Sequence, residues 1–198
     1  MLTAAEKAAV LERAGAKGLN VPPEQWRAFD ALLSPLRLRK GGFFMRPGEP
    51  SGRIGIVRKG LLRFYYVDAS GGDATKAFRG PGELAAAYAE MLLGAPSRTF
   101  IEALQDSEML VVDYARLQRL YDRHPCWQEL GRRVAEHFYL TKEQREFEFL
   151  QLSAEERYRR FNKEYPGLAG RIPQYHVASY LGITPVALSR IRRRLKKR

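Results

Sequence analysis

The chain has 198 residues, 45% apolar and 28% charged, with 34 Lys+Arg against 22 Asp+Glu and a formal net charge of +12. This balance excludes wholesale disorder, and no run reaches the roughly 18 uninterrupted apolar residues of a membrane span. One cysteine, Cys126, excludes an intramolecular disulfide framework and an all-cysteine iron–sulfur cluster within one chain.

Met1 to Arg13 mixes acid and base without an apolar h-region, which predicts no signal peptide and a reduced, cytoplasmic protein. Thr3-Ala4-Ala5-Glu6 reads as a capping box, so a first helix is expected to about Arg13. A second, Glu24 to Leu33, follows Pro22-Pro23 and places Trp26, Phe29, Leu32 and Leu33 on one face. From Leu36 the period becomes two. Short runs through Ile54, Ile56, Leu62, Phe64, Tyr66 and Val67, then Thr75–Arg79, Arg98–Leu104 and Glu108–Asp113, are broken by glycine turns. They predict a small antiparallel sandwich or barrel.

After Asp113 the pattern is helical again. Tyr114 to Arg123 is one helix, and Pro125 to Leu152 is a long one whose apolar content lies on more than one side, which suits a partner helix. Ser153-Ala154-Glu155-Glu156 is a second capping box and opens a terminal domain. The fold expected is α+β: N-terminal helices (1–35), an antiparallel β-roll (36–123), a long helix (124–152) and an all-α terminal domain (153–198).

The charge is uneven. Ser153 to Arg198 holds 12 Lys+Arg against 3 Asp+Glu, a net of +9, which leaves only +3 for the rest. A localised field of this kind suits a polyanion. Gln174 to Arg193 gives it a motif. Counted from Gln174, Val177, Leu181, Ile183, Leu188 and Ile191 fall where two crossing helices bury apolar groups, Ala178 where they approach closely, and Gly182 at the turn. Thr184 caps the second helix and Pro185 sits in its first turn. The candidate DNA-binding residues are Gln174, Tyr175, Thr184, Pro185, Val186, Ala187, Ser189, Arg190, Arg193, Arg194 and Lys197. Of these, Arg190 alone could span guanine O6 and N7, and the later cations suit phosphates.

The order of β-rich sensor, long helix and terminal helix-turn-helix resembles the Crp/Fnr family of bacterial transcription regulators. The likeness runs from about Leu36 to the end. In the sensor it is carried by Arg46-Pro47-Gly48-Glu49, Val57 to Tyr65, Asp68 to Lys76 and Phe78 to Leu84. The resemblance implies a jelly-roll of the cyclic-nucleotide-binding type, a homodimer, a pseudo-palindromic double-stranded DNA site and contact with RNA polymerase. The lack of a His and carboxylate cluster at metal spacing in the strands argues against a cupin-like enzyme, and the charge trailing the motif reads as a DNA-backbone clamp rather than a membrane patch. The resemblance also implies an effector pocket. Gly82-Glu83 and Arg98-Thr99 resemble the pairs that hold ribose and cyclic phosphate, but where cyclic-AMP-binding members place adenine-contacting hydroxyls this chain has Lys142 and Glu143, with Thr141 one residue before. The segment Leu84 to Ser97 is long, however, and Arg98 falls one residue out of strand register, which turns it to the other face. Three readings follow: a structural Glu83–Arg98 salt bridge in a vestigial pocket, an unidentified anionic effector, or cyclic AMP, which is disfavoured. His124, His137 and His176 lack metal-ligand spacing and read as structural rather than as metal or haem ligands. The chain closes at Leu195-Lys196-Lys197-Arg198 without the family's two-stranded wing, whose backbone contacts the basic tail is expected to share.

Overall fold

The first helix, α1 (Ala4–Arg13), starts on the expected capping box: Thr3 Oγ1 accepts from the Glu6 amide, and the Glu6 carboxylate accepts from the Thr3 amide. It opens a computed structural model that describes residues 1–196, so Lys197 lies outside the described residues. The chain forms two units. One comprises Met1–Phe64 with Phe78–Tyr139, the other Tyr65–Ala77 with the residues from Leu140 onward.

In the first unit, α2 (Pro23–Asp30) follows α1. Eight strands follow: β1 (Ser34–Leu38), β2 (Phe43–Met45), β3 (Arg53–Lys59), β4 (Leu62–Val67), β5 (Asp73–Arg79), β6 (Leu84–Ala85), β7 (Phe100–Ala103) and β8 (Ser107–Asp113). They form two four-stranded sheets, ordered β1-β8-β3-β6 and β2-β7-β4-β5. The pairs β1–β8, β2–β7, β3–β6 and β3–β8 are antiparallel, with Leu36 opposite Met109 and Ile56 opposite Leu110. Between the sheets the alternating inward residues Phe44, Val57, Leu62, Phe78, Ile101 and Met109 are fully buried, as expected of a β-roll. A second core lies where α1, α2, α4 (Tyr114–Tyr121) and the start of α5 (Pro125–Gln151) cover the first sheet. Trp127 is its centre, 5.4 Å from the Phe29 ring, and its indole N–H donates to Gln25 Oε1 at 3.0 Å. Cys126 belongs to this core, where burial pushes its thiol pKa up and leaves it inert.

Two sequence expectations change here. The second helix stops at Asp30, not Leu33. Leu32 and Leu33 lie in a tight turn, their amides donating to Phe29 O and Asp30 O, because Pro35 already belongs to β1. The long segment after Glu83 holds a short helix, α3 (Tyr88–Leu93), closed by Gly94 in the left-handed region. Tyr88 of α3 packs on Phe138 of α5, with ring centroids 4.9 Å apart.

In the second unit, the later half of α5 joins α6 (Ala154–Glu164), a 3₁₀ turn (Leu168–Gly170), α7 (Gln174–Leu181) and α8 (Pro185–Lys196). The capping box of Ser153 and Glu156 starts α6. Phe161, Tyr165 and Tyr180 form a three-ring cluster with centroids 5.2 to 5.7 Å apart. The Tyr180 hydroxyl donates to Glu164 at 3.0 Å, and burial pushes its pKa up to about 12. Arg157 donates to the carbonyls of Leu181 and Leu152, and so ties α6 to the ends of α7 and α5.

Candidate nucleic-acid interface

Helices α7 and α8 pack through the residues that the spacing selected. Val177, Ala178, Leu181, Leu188 and Ile191 are buried, and Ile183 is half-buried. Gly182 closes α7 at φ 66°, and its amide donates to Ala178 O and Ser179 O. Thr184 Oγ1 accepts from the Ala187 amide at 3.2 Å, so it is the N-cap of α8, with Pro185 as the first helical residue.

Burying Leu188 and Ile191 turns the other face of α8 outward. Thr184, Pro185, Val186, Ser189, Arg190, Arg193 and Arg194 are all exposed, Val186 to 61%. Positions 186, 189, 190 and 193 follow the i, i+3, i+4, i+7 spacing of one helix face. Ala187 is half-buried and contributes less surface. Tyr175 is 54% exposed and its ring lies tilted against the buried His176 ring, with centroids 4.1 Å apart. Gln174 is already engaged: its amide donates to Ala169 O at 2.6 Å, and its carbonyl oxygen accepts from Arg192. An open groove of about 360 Å³ runs between Gln174 and the Pro185–Arg193 side of α8. Arg194 lies 3.9 Å from Glu155, an exposed pair of the kind worth at most about 1 kcal/mol.

The effector candidates are arranged differently from the sequence expectation. Glu83 does not pair with Arg98. Its carboxylate closes its own turn, accepting from the Gly80 amide at 2.7 Å and from Arg79 Nη1 at 3.3 Å. Arg98 instead pairs with Glu90 of α3 at 2.9 Å. Its side chain is 74% exposed while that of Glu90 is 2% exposed, so Arg98 caps a buried carboxylate from outside. Thr99, the next residue, is fully buried and its amide donates to Ser97 Oγ. Arg98 thus points outward and Thr99 inward, both just before β7 begins at Phe100. Gly82 has φ 83°, and a Cβ there would meet Ala9 of α1 at 3.2 Å. Its site faces the N-terminal helix. Thr141 (half-buried) and Lys142 (exposed) lie on α5 in the second unit.

Two of the histidines read as structural take defined places. His124 Nδ1 accepts from the Cys126 amide at 3.1 Å and caps α5. His137 of α5 sits against Gly15 beside the Arg79–Glu83 pair, where burial first, then Arg79, lowers its pKa, while Glu83 opposes. A lowered folded pKa means that the neutral ring is the one the fold prefers. The resulting stability is fully present above the ordinary value of about 6.5 and is lost as pH falls through the lowered one. Thermal melts should therefore show a falling midpoint below about pH 6.5 that is shallower in His137→Gln. An identical acid limb in both proteins would refute this role.

Comparison with known proteins agrees with this architecture. Residues 35–124 match the family described as the cyclic nucleotide-binding domain. The chain is 25% identical over 190 residues to the transcriptional activator protein anr of Pseudomonas aeruginosa, covering 87% of this chain and 75% of that one. It is 23% identical over 171 residues to the anaerobic regulatory protein of Pasteurella multocida, covering 81% of this chain but spanning only 62% of that protein's length. Among solved structures, FixK2 from Bradyrhizobium japonicum superposes with a TM-score of 0.70 at 21% identity, covering 83% of this chain and 85% of that one. At that identity the likeness is one of fold. No helix among the described residues is long and apolar enough to cross a membrane.

Proposed function

We infer that this chain, which belongs to the Crp/Fnr family, is a homodimeric, sequence-specific DNA-binding transcription regulator rather than an enzyme. The observation that carries the reading is α8: capped by Thr184, held on α7 by Leu188 and Ile191, and turning Val186, Ser189, Arg190 and Arg193 to solvent. Small groups and one guanidinium early on the helix suit base edges, and the cations after them suit phosphates. Exposed apolar residues on α5 support the dimer. Tyr139, Leu140 and Leu150 are 61%, 64% and 72% exposed, and Leu140, Phe147 and Leu150 repeat at the seven- and three-residue steps of a helix seam. Two copies related by a two-fold would present recognition helices about 34 Å apart and read a pseudo-palindrome. RNA polymerase is the further partner of this reading, and the cytoplasm its location.

Gel shifts of genomic fragments with sedimentation of the free protein test the reading. A dimer that retards a defined subset of fragments is expected. A monomer, or retardation of every fragment alike, would sink it. For the sensor, the separate Glu83–Arg79 and Glu90–Arg98 pairs support a pocket that is degenerate or takes an anionic effector other than cyclic AMP. Calorimetry with cyclic AMP and cyclic GMP should accordingly show no micromolar binding. Micromolar binding abolished by Arg98→Ala would establish the alternative, a cyclic-nucleotide-responsive regulator using Glu83 and Arg98.

A further inference from the structure

The hairpin between β4 and β5 leaves the β-roll and its residues 65–77 group with the helix-turn-helix. Its tip is stiff by its own chemistry. Asp68 accepts from the amides of Ser70 and Gly72 and from the Ser70 hydroxyl, and Lys76 Nζ donates to the Tyr66 hydroxyl across the stem. Against it lies Ser179, on α7. Ser179 Oγ accepts from the Thr75 amide at 2.8 Å and from Thr75 Oγ1 at 3.0 Å, and it donates toward Asp73 O and Oδ1, both at 3.0 Å. A serine hydroxyl has one proton to give and two lone pairs to fill, so this one is saturated by the hairpin.

Arg145 of α5 closes the arrangement. Its Nη2 donates to Thr75 O at 3.2 Å and to Tyr180 O at 2.8 Å, while its guanidinium lies 3.9 Å from the Tyr180 ring centroid and 4.8 Å from that of Phe149. One side chain thus joins the long helix, the sensor hairpin and the end of α7. The contacts fall on Ser179 and the Tyr180 carbonyl, while Val186, Ser189, Arg190 and Arg193 stay exposed. The hairpin therefore does not mask the recognition face.

We propose that the β4–β5 hairpin is a strut that holds the helix-turn-helix in a binding-competent orientation through Asp73, Thr75, Ser179 and Arg145. The inference rests on the DNA-binding reading and adds a regulatory contact to it. A recognition helix free to reorient loses that freedom when it binds, whereas one held beforehand does not. Anything that shifts β4 and β5 then acts directly on α7, without touching the recognition residues.

Ser179→Ala tests this, because alanine is a strong helix former and only the hydroxyl leaves. The probe is a duplex selected from a random-sequence pool by the wild-type protein. Two results are expected in the variant: exchange of the Thr75 amide accelerates about tenfold, and affinity for the duplex falls roughly three- to tenfold, as loss of a small hydrogen-bond cluster implies. Thr75→Val, which removes one of these bonds without changing shape, should give the same signs at smaller size and serves if Ser179→Ala folds poorly. Equal Thr75 exchange in both proteins overturns the contact. Accelerated exchange with unchanged or increased affinity overturns the strut, an increase meaning that the contact restrains binding instead. If the wild type selects no duplex while Ser179→Ala still exposes Thr75, the DNA-binding reading fails and the contact itself stands.

Discussion

Alanine at Gly182 is expected to destabilise the helix-turn-helix by about 2–3 kcal/mol, from two sources that can be separated. The first is conformational. Gly182 has φ 66°, and an L-residue in the left-handed region costs about 1–2 kcal/mol. The second is steric. A Cβ at Gly182 would sit 2.7 Å from Phe149 Cε1, well inside contact distance. The ring is 40% exposed, but to make room it must leave the guanidinium groups of Arg145 and Arg157, 4.8 and 5.1 Å from its centroid. A double-mutant cycle reads the two parts. Gly182→Ala should cost its full amount in the wild-type background and only the conformational part, about 1 kcal/mol, in Phe149→Ala. Denaturant unfolding followed by tyrosine fluorescence is the measurement, since Tyr165 and Tyr180 report on this unit. An equal cost in both backgrounds would remove the steric account.

This turn also shows what could be read before any coordinates. The helix-turn-helix was legible because its signals are local. Gly182, Thr184, Pro185 and the apolar positions around them each have a mechanism that works within a few residues. Both capping boxes, at Thr3 and Ser153, formed for the same reason. The long helix was legible from its period, and its observed range, Pro125–Gln151, differs by one residue from expectation.

What failed to show in the sequence depends on partners brought from elsewhere. The effector pairs are the clearest example. Family spacing placed Glu83 and Arg98 together, but Arg79 stands four residues from Glu83 and takes its carboxylate, while α3 delivers Glu90 to Arg98. A signal for α3 was present: Tyr88-Ala89-Glu90-Met91-Leu92-Leu93 is rich in strong helix formers, and Gly94 follows as a C-terminal stop. Treating that stretch as spacing between two halves of a motif concealed it. The hairpin contact has no sequence signal at all. Thr75 and Ser179 are 104 residues apart, and both are ordinary residues where they stand.

The largest functional effects should come from the cations of α8, and they should divide into two kinds. Arg190 lies early on the exposed face, beside Val186 and Ser189, where it can reach a guanine edge. Arg193 and Arg194 lie a turn later and are exposed, where the proposed DNA-binding reading would set them against phosphates. Arg192 differs from both, because Gln174 already takes its guanidinium. Each lost phosphate contact lowers the slope of log affinity against log salt by about 0.9. Replacing Arg193 and Arg194 by Gln in both protomers removes four such cations, so the slope should fall by about 3 to 4. Affinity should fall roughly a hundredfold or more for specific and non-specific DNA alike, since phosphates carry no sequence. Arg190→Ala should behave in the opposite way. It should cost about 1–3 kcal/mol in each half-site of the specific duplex, leave non-specific binding nearly unchanged, and thus collapse the ratio between them. Salt titrations of both variants on a selected and a scrambled duplex separate the two. If Arg190→Ala weakened the scrambled duplex as much as the selected one, Arg190 would be one more phosphate contact, and the bases would have to be read by Val186, Ser189 and the shape of the groove alone.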